Sequence, residues 1–218
     1  MIWDNQFAIS IIPTLLRGLV TTVQITLLGT ALAAVLGLVV AILRYLRIPV
    51  LSQVLTFGVL FVRGTPLLVQ AYFAFFVLPN FGISFSALVT GVLVIGINYS
   101  AYLAEVYRAG IESVAKGQWE AATALNLPRA RVWFRIVLPQ AFRTVVPMLG
   151  NYLIMMFKDS AVLSAITVIE LMATAQRIGI SEFRYLEPFT IAAILYFLVS
   201  YPSSLIVNRL EARLATQQ

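Results

Sequence analysis

The stretch Glu120–Phe142, EAATALNLPRARVWFRIVLPQAF, decides how the chain is read. It carries Arg129, Arg131 and Arg135, with Arg143 one residue beyond, and two prolines, yet it lies between two very apolar regions. Glu112 to Leu125 is rich in Ala and Glu and reads as a helix. Asn126 tolerates the left-handed conformation that ends a helix. Leu127-Pro128 then opens a second helix, with proline at its start, where the missing N–H costs little. That helix runs over Ala130 to Val137 and stops at Leu138-Pro139. Two short helices thus meet at a sharp, basic corner. Such a corner suits insertion into a groove on a partner; the alternative is an amphipathic loop lying on anionic lipid.

The surroundings explain why a basic corner stands out. The chain has 218 residues, 61% hydrophobic and 11% charged, with a mean hydropathy of +0.93. A soluble domain of this size carries about a quarter charged residues. The long apolar blocks make this an integral membrane protein. The net charge of +6 comes with no basic tract interleaved with exposed aromatics, so nucleic acid is not the expected partner. In such a chain basic excess reports loop topology. Cysteine and histidine are absent, which removes disulfides, thiol nucleophiles and most zinc, haem and imidazole chemistry. No metal site is expected. The start, MIWDNQFAIS, lacks the basic region of a cleaved signal peptide, so the first apolar block is expected to stay as an anchor.

A bilayer core about 30 Å thick needs roughly 20 apolar residues in a helix. Five segments meet that need: about Leu15 to Leu43, Leu51 to Leu78, Phe85 to Tyr107, from near Val145, and Phe189 to Val207 with Pro202 inside. In the first, Gly29, Ala33 and Gly37 recur four apart and favour close helix packing. The second is interrupted by Arg63-Gly64-Thr65-Pro66 and reads as one broken or kinked helix. With the N-terminus outside, Arg44, Arg47, Arg108, Lys116, Arg129, Arg131, Arg135, Arg143, Arg209 and Arg213 face the cytoplasm. Arg17, Lys158, Arg177 and Arg184 stay on or toward the other side. That bias sets N-out, C-in, with an odd number of spans. No linker, repeat or second domain is evident, so residues 1–218 form a single transmembrane domain with a cytoplasmic loop at about 109–143.

Polar residues at bilayer depth are costly and face a cavity or a partner. Lys158-Asp159 lies roughly 22 Å beyond Arg143 at a rise of about 1.5 Å per residue, past the midplane. The adjacent charges could complement a zwitterion. Otherwise they form a structural pair with Arg63 or Glu170, or mark a helix end near the outer surface. Asn98 and Tyr99 offer hydrogen bonds to the same solute or between helices. Met155 and Met156 read as packing before ligand contacts. Arg63, Gly64, Thr65 and Pro66 read as a structural or gating hinge before a binding element, with Thr65 satisfying a freed carbonyl. Glu105 and Arg108 are spaced for a local ion pair. Asp4, Glu182 and Glu187 read as solvated outer surface.

Glu120-Ala121-Ala122, Asn126, Ile136, Leu138 and Pro139 together resemble the EAA loop of ABC importer permeases, with Asn126 where the family usually has glycine. RGTPLLVQ at Arg63–Gln70, YSAYLAEVYRAGI at Tyr99–Ile111 and LPQAFRTVVPMLGNYLIMMFKDSAVLSAI at Leu138–Ile166 extend the resemblance to the polar amino acid uptake subfamily over essentially the whole chain. The resemblance implies an all-α membrane protein of the type I ABC importer permease fold, multi-pass in the bacterial inner membrane. It implies a path for polar amino acids or a related compatible solute, of the glutamine, glutamate, basic amino acid or ectoine-like kind. It also implies a second permease, identical or homologous, two cytoplasmic ATPases carrying ATP and Mg, and an extracytoplasmic binding protein. Glu120, Ala121, Ala122, Asn126, Leu127 and Pro128 would meet the ATPase. Asn98, Lys158 and Asp159 gain weight as cavity positions. The chain has no Gly-x-x-x-x-Gly-Lys-[Ser/Thr] phosphate loop, so it is not expected to be the ATPase, nor an enzyme. A self-sufficient channel or ion-coupled carrier is the competing reading. It leaves the corner without a purpose.

Overall fold

A computed structural model describes residues 2–215, so the ends of the 1–218 unit, Met1 and 216–218, lie outside it. Helix α1 (Asn5–Tyr45) opens where the Asp4 carboxylate accepts from the amides of Gln6 and Phe7. At 41 residues it is far longer than the expected Leu15–Leu43 span, because that cap and a continuous apolar face carry it through Pro13. Its rise of about 1.5 Å per residue gives roughly 60 Å, twice a bilayer core. The first turns pack Ile11 and Leu15 against Leu171, Ala175 and Ala192.

Helix α2 (Leu51–Gly64) and helix α3 (Leu67–Tyr72) flank the expected break. Thr65 and Pro66 are both extended, as proline demands of itself and of the residue before it. The chain continues from α3 through a π-helical turn at Phe73–Val77 and a 3-10 turn at Leu78–Phe81. The two arms diverge by 104°, a right-angle turn instead of a kink. Helix α4 (Ala87–Glu112) packs along α1 through small residues on both sides. A Cβ built on Gly37 would lie 2.9 Å from the Ser100 carbonyl oxygen, and one on Gly29 would lie 2.7 Å from Ile95. The four-residue spacing of Gly29, Ala33 and Gly37 is therefore used as a backbone-to-backbone seam.

Helix α5 (Lys116–Ala124) and helix α6 (Arg129–Val132) form the corner. Contrary to the expected stop at Leu138-Pro139, the chain runs on through a π-helical turn, Trp133–Val137, into helix α7 (Leu138–Asp159). The wider turn absorbs the hydrogen bond that Pro139 cannot donate. The corner's second arm is thus the foot of the fourth apolar segment, which begins well before Val145. A 3-10 turn, Ser160–Ile166, then leads to helix α8 (Leu171–Ser181), bent 47° from the Arg129–Ile166 axis. Helix α9 (Leu186–Ala215) closes the bundle with Pro202 inside it. Among the described residues, three helices, α1, α4 and α9, are each long and apolar enough to cross a membrane, and the count rises to five if each bent pair is one crossing.

Two carboxylates are more deeply engaged than expected. Glu170 is fully buried, caps α8 through the amides of Met172 and Ala173, and accepts from Tyr196 at 2.9 Å. It holds α8 to α9 and does not meet Lys158-Asp159. Glu187, expected as solvated surface, is 1% exposed and accepts from the Asp4 amide and Arg184. Arg184 also reaches Asp4 and lies over the Phe7 ring, so the start of α1 is clasped to the α8–α9 turn.

Candidate functional site

The break between α2 and α3 and the middle of α4 and α7 enclose one cavity of about 370 Å³. Its wall from the break is Arg63 to Leu67; α4 gives Asn98, Tyr99 and Tyr102, and α7 gives Tyr152, Met155 and Asp159. Helical spacing explains the set. Positions 152, 155 and 159 lie on one face of α7, as do 98, 99 and 102 on α4. Lys158, one residue from Asp159, points about 100° away; it is exposed and does not line the cavity. Lys158 is turned out of the cavity that Asp159 lines, so the pairing of Lys158 with Asp159 around one solute does not survive the geometry.

Arg63 takes the place expected of Lys158. Its guanidinium lies 5.2 Å from the Tyr102 ring centroid, over the face of the ring. Asp159 accepts a hydrogen bond from Tyr99 Oη at 2.6 Å, so the carboxylate is fixed against α4. Tyr99, Tyr102 and Tyr152 stand with ring centroids 5.8–6.1 Å apart and floor the space between the two charges. Met155 is 46% exposed at the cavity, whereas Met156 is fully buried and accepts from Thr30. The packing reading holds for Met156; Met155 borders the open space.

Gln70 organises the break. Its Nε2 donates to the Val62 carbonyl at 2.8 Å and to Thr65 Oγ1 at 2.7 Å, while Thr65 Oγ1 donates to the Phe61 carbonyl at 3.0 Å. The carbonyls freed by the extended pair are thus satisfied from within, as low-dielectric surroundings require. Asn98 Nδ2 donates to Gln70 Oε1 at 3.1 Å, which ties the break to α4. The break residues serve as both bend and cavity wall. Sequence reasoning passed over Gln70, Tyr102 and Tyr152. Only the three-residue spacing of Tyr99 and Tyr102 hinted at a shared face.

The basic corner is built as its sequence suggested at the turn itself. Asn126 has φ +50°, its amide donates to the Thr123 carbonyl, and the Leu127 amide donates to the Ala122 carbonyl. This is the double closure of a helix ending in a left-handed residue. Ala122 is buried, but Glu120, Ala121, Asn126 and Pro128 are exposed and Leu125 is 71% exposed at the tip. Behind the tip, Trp133 meets Trp119 edge-on at 5.6 Å and Tyr45 at 5.1 Å. Val114, Val137 and Ala141 fill the small core beneath. The corner is therefore a stiff body joined to the ends of α1, α4 and α7.

Comparison with known proteins matches this arrangement. The chain is 45% identical over 217 residues to the probable amino-acid ABC transporter permease protein y4tG of Sinorhizobium fredii (strain NBRC 101917 / NGR234), covering 97% of this chain and 94% of that one. It is 36% identical over 203 residues to the L-cystine transport system permease protein TcyB of Bacillus subtilis (strain 168), covering 93% and 87%. A crystal structure of an amino acid ABC transporter with histidines superposes with a TM-score of 0.93 at 35% identity, over 98% of this chain and 100% of that one. An inward-facing structure of the MetNI methionine ABC transporter shares the fold, with a TM-score of 0.73 at 21% identity, over 92% and 95%. The family model described as binding-protein-dependent transport system inner membrane component matches residues 33–216. A match of that extent, on a bundle with the same helices in the same places, means that this chain belongs to the family of inner membrane components of binding-protein-dependent transport systems.

Proposed function

We propose that this permease carries a zwitterionic polar amino acid, or a compatible solute of similar charge, through the cavity between Arg63 and Asp159. The observation that carries the reading is the pair of opposite charges on one cavity. Asp159 can receive an ammonium and Arg63 a carboxylate, while the tyrosine floor takes the aliphatic part. Asn98, Tyr99 and Met155 border the same path. The names of the similar proteins, which include amino-acid, L-cystine and glutamine permeases, favour the same class of solute.

In this reading the corner Glu120–Pro128 seats in a separate cytoplasmic ATPase that holds ATP and Mg. The exposed Leu125 and the left-handed turn at Asn126 support it. Closure of two such ATPases would draw two corners together and swing the bundles from inward- to outward-facing. The break at Gly64-Thr65-Pro66 is then the place where the path bends. A second permease, identical or homologous, completes the path, and an extracytoplasmic binding protein delivers solute. The test is ATPase stimulation of the reconstituted assembly by its binding protein across a panel of amino acids. Stimulation by one zwitterionic class, lost in Asp159→Asn, is the expected result. Equal stimulation by wild type and Asp159→Asn for every solute would overturn the assignment.

A further inference from the structure

A second polar cavity, of about 330 Å³, lies where the ends of α1 and α4 meet the start of α2, apart from the path. Its charges come from Arg44 and Arg47 at the end of α1 and from Arg108 and Glu112 on α4, and α2 adds the Ser52 and Thr56 side chains. Most of this charge is already matched. Arg44 pairs with Glu105 at 2.6 Å, and Arg108 bridges Glu105 at 2.7 Å and Glu112 at 2.6 Å. Three arginines against two glutamates leave one positive charge, and Arg47 makes no ion pair among the described residues.

The backbone holds Arg47 in this place at a cost. Arg47 has φ +51° and Val50 has φ +64° in the short connection between α1 and α2. The left-handed region is unfavourable for side-chain-bearing residues, most of all for a β-branched one. The first amides of α2 are already engaged, Leu51 on the Pro49 carbonyl and Ser52 on the Ile48 carbonyl, so the unmatched charge at this end is that of Arg47. Next to the lining residues in sequence, Ile42 on α1, Leu46 just beyond it, and Val54 and Phe57 on α2 are exposed apolar side chains. A single anionic group bearing hydrocarbon would meet both the leftover charge and these apolar side chains.

We infer that this cavity is a binding site for the phosphodiester headgroup of an anionic phospholipid, seated on Arg47 with Ser52. Basic pockets between membrane helices recognise such headgroups, and cytoplasmic leaflets are rich in them. The N-out orientation puts the site in that leaflet. Tyr45 lines the cavity and also packs on Trp133, so the bound headgroup steadies the corner's footing on α1.

The test uses the full-length permease in its assembled transporter. The complex is placed in phosphatidylcholine nanodiscs with graded phosphatidylglycerol, and lipid retained by the permease is counted by native mass spectrometry. Wild type should retain phosphatidylglycerol in preference to phosphatidylcholine. Arg47→Gln should weaken that retention about tenfold, the value of one charge-assisted hydrogen bond. Arg47→Lys should keep most of it, with thermal stability unchanged in both. A third arm adds excess inorganic phosphate to wild type. Retention that survives phosphate supports a lipid; retention lost to phosphate assigns the site to a soluble anion and overturns the lipid reading. Equal retention in Arg47→Gln and wild type, or no preference between the two lipids, also overturns it.

Discussion

Leu125 offers the sharpest test of the corner's role. Its side chain is 71% exposed at the tip, beside the left-handed Asn126, and has no place in the small core of Val114, Val137 and Ala141. Fully burying a leucine is worth about 1.5–3 kcal/mol. With 71% of it exposed, docking into a partner's groove stands to gain roughly 1–2 kcal/mol. Leu125→Ala should therefore weaken assembly with the ATPase by roughly five- to thirtyfold. Leu125→Glu should weaken it more, because a carboxylate would be carried into an apolar groove. The assay is co-purification of tagged ATPase with each variant, alongside binding-protein-stimulated ATP hydrolysis. The permease's own melting temperature should not change, since the residue packs against little within the chain. Unaltered co-purification for both variants would refute the docking argument. A large loss of permease stability would show that Leu125 belongs to the fold instead.

Other expectations follow from the same structure. Asn126→Gly should preserve coupling, because glycine takes φ +50° without strain, while Asn126→Val should lower it; equal activity in both would remove the role of the left-handed turn. Gly37→Ala should destabilise the detergent-solubilised permease by about 1–3 kcal/mol, since the new Cβ falls 2.9 Å from the Ser100 carbonyl oxygen. Gly58→Ala meets nothing within 4 Å and should be neutral or slightly stabilising, so a matching loss in both melting temperatures would contradict the α1–α4 seam. At the clasp between the start of α1 and the α8–α9 turn, the Phe7 amide holds the Asp4 carboxyl below its ordinary value of 3.8, with further help from Gln6 and Arg184. A depressed carboxyl contributes stability above its unfolded pKa and loses it as pH falls through the folded one. Trp3 fluorescence, in a chain whose other two tryptophans are phenylalanine, should change with a midpoint below 3.8, and a midpoint at or above that value would refute the clasp.

The parts of the fold that could be read in advance are those set by local preference. Thr65-Pro66 forced an extended pair, Asn126 accepted positive φ, and Gly29, Ala33 and Gly37 made a seam, each from chemistry within a few residues. The misread parts depended on angle or distance. Lys158 and Asp159 are neighbours in sequence but not on a helix face, and Arg63 reaches the cavity only because the chain turns through 104° beyond it. Pro139 looked like a helix stop, yet the π-helical turn before it carries the chain on. Asp4 and Glu187, read as solvated surface, find each other across 183 positions, which no local pattern announces.

Solute accumulation in sealed vesicles tests the central claim most directly: the bundle is the path and a separate ATPase supplies the drive. Vesicles holding the permease with its ATPase, supplied with binding protein and ATP, should concentrate a polar amino acid against its gradient. Vesicles holding the permease alone should neither concentrate it nor pass it downhill. Uphill uptake on ATP by the permease alone, or steady downhill flux with no ATPase present, would contradict the account.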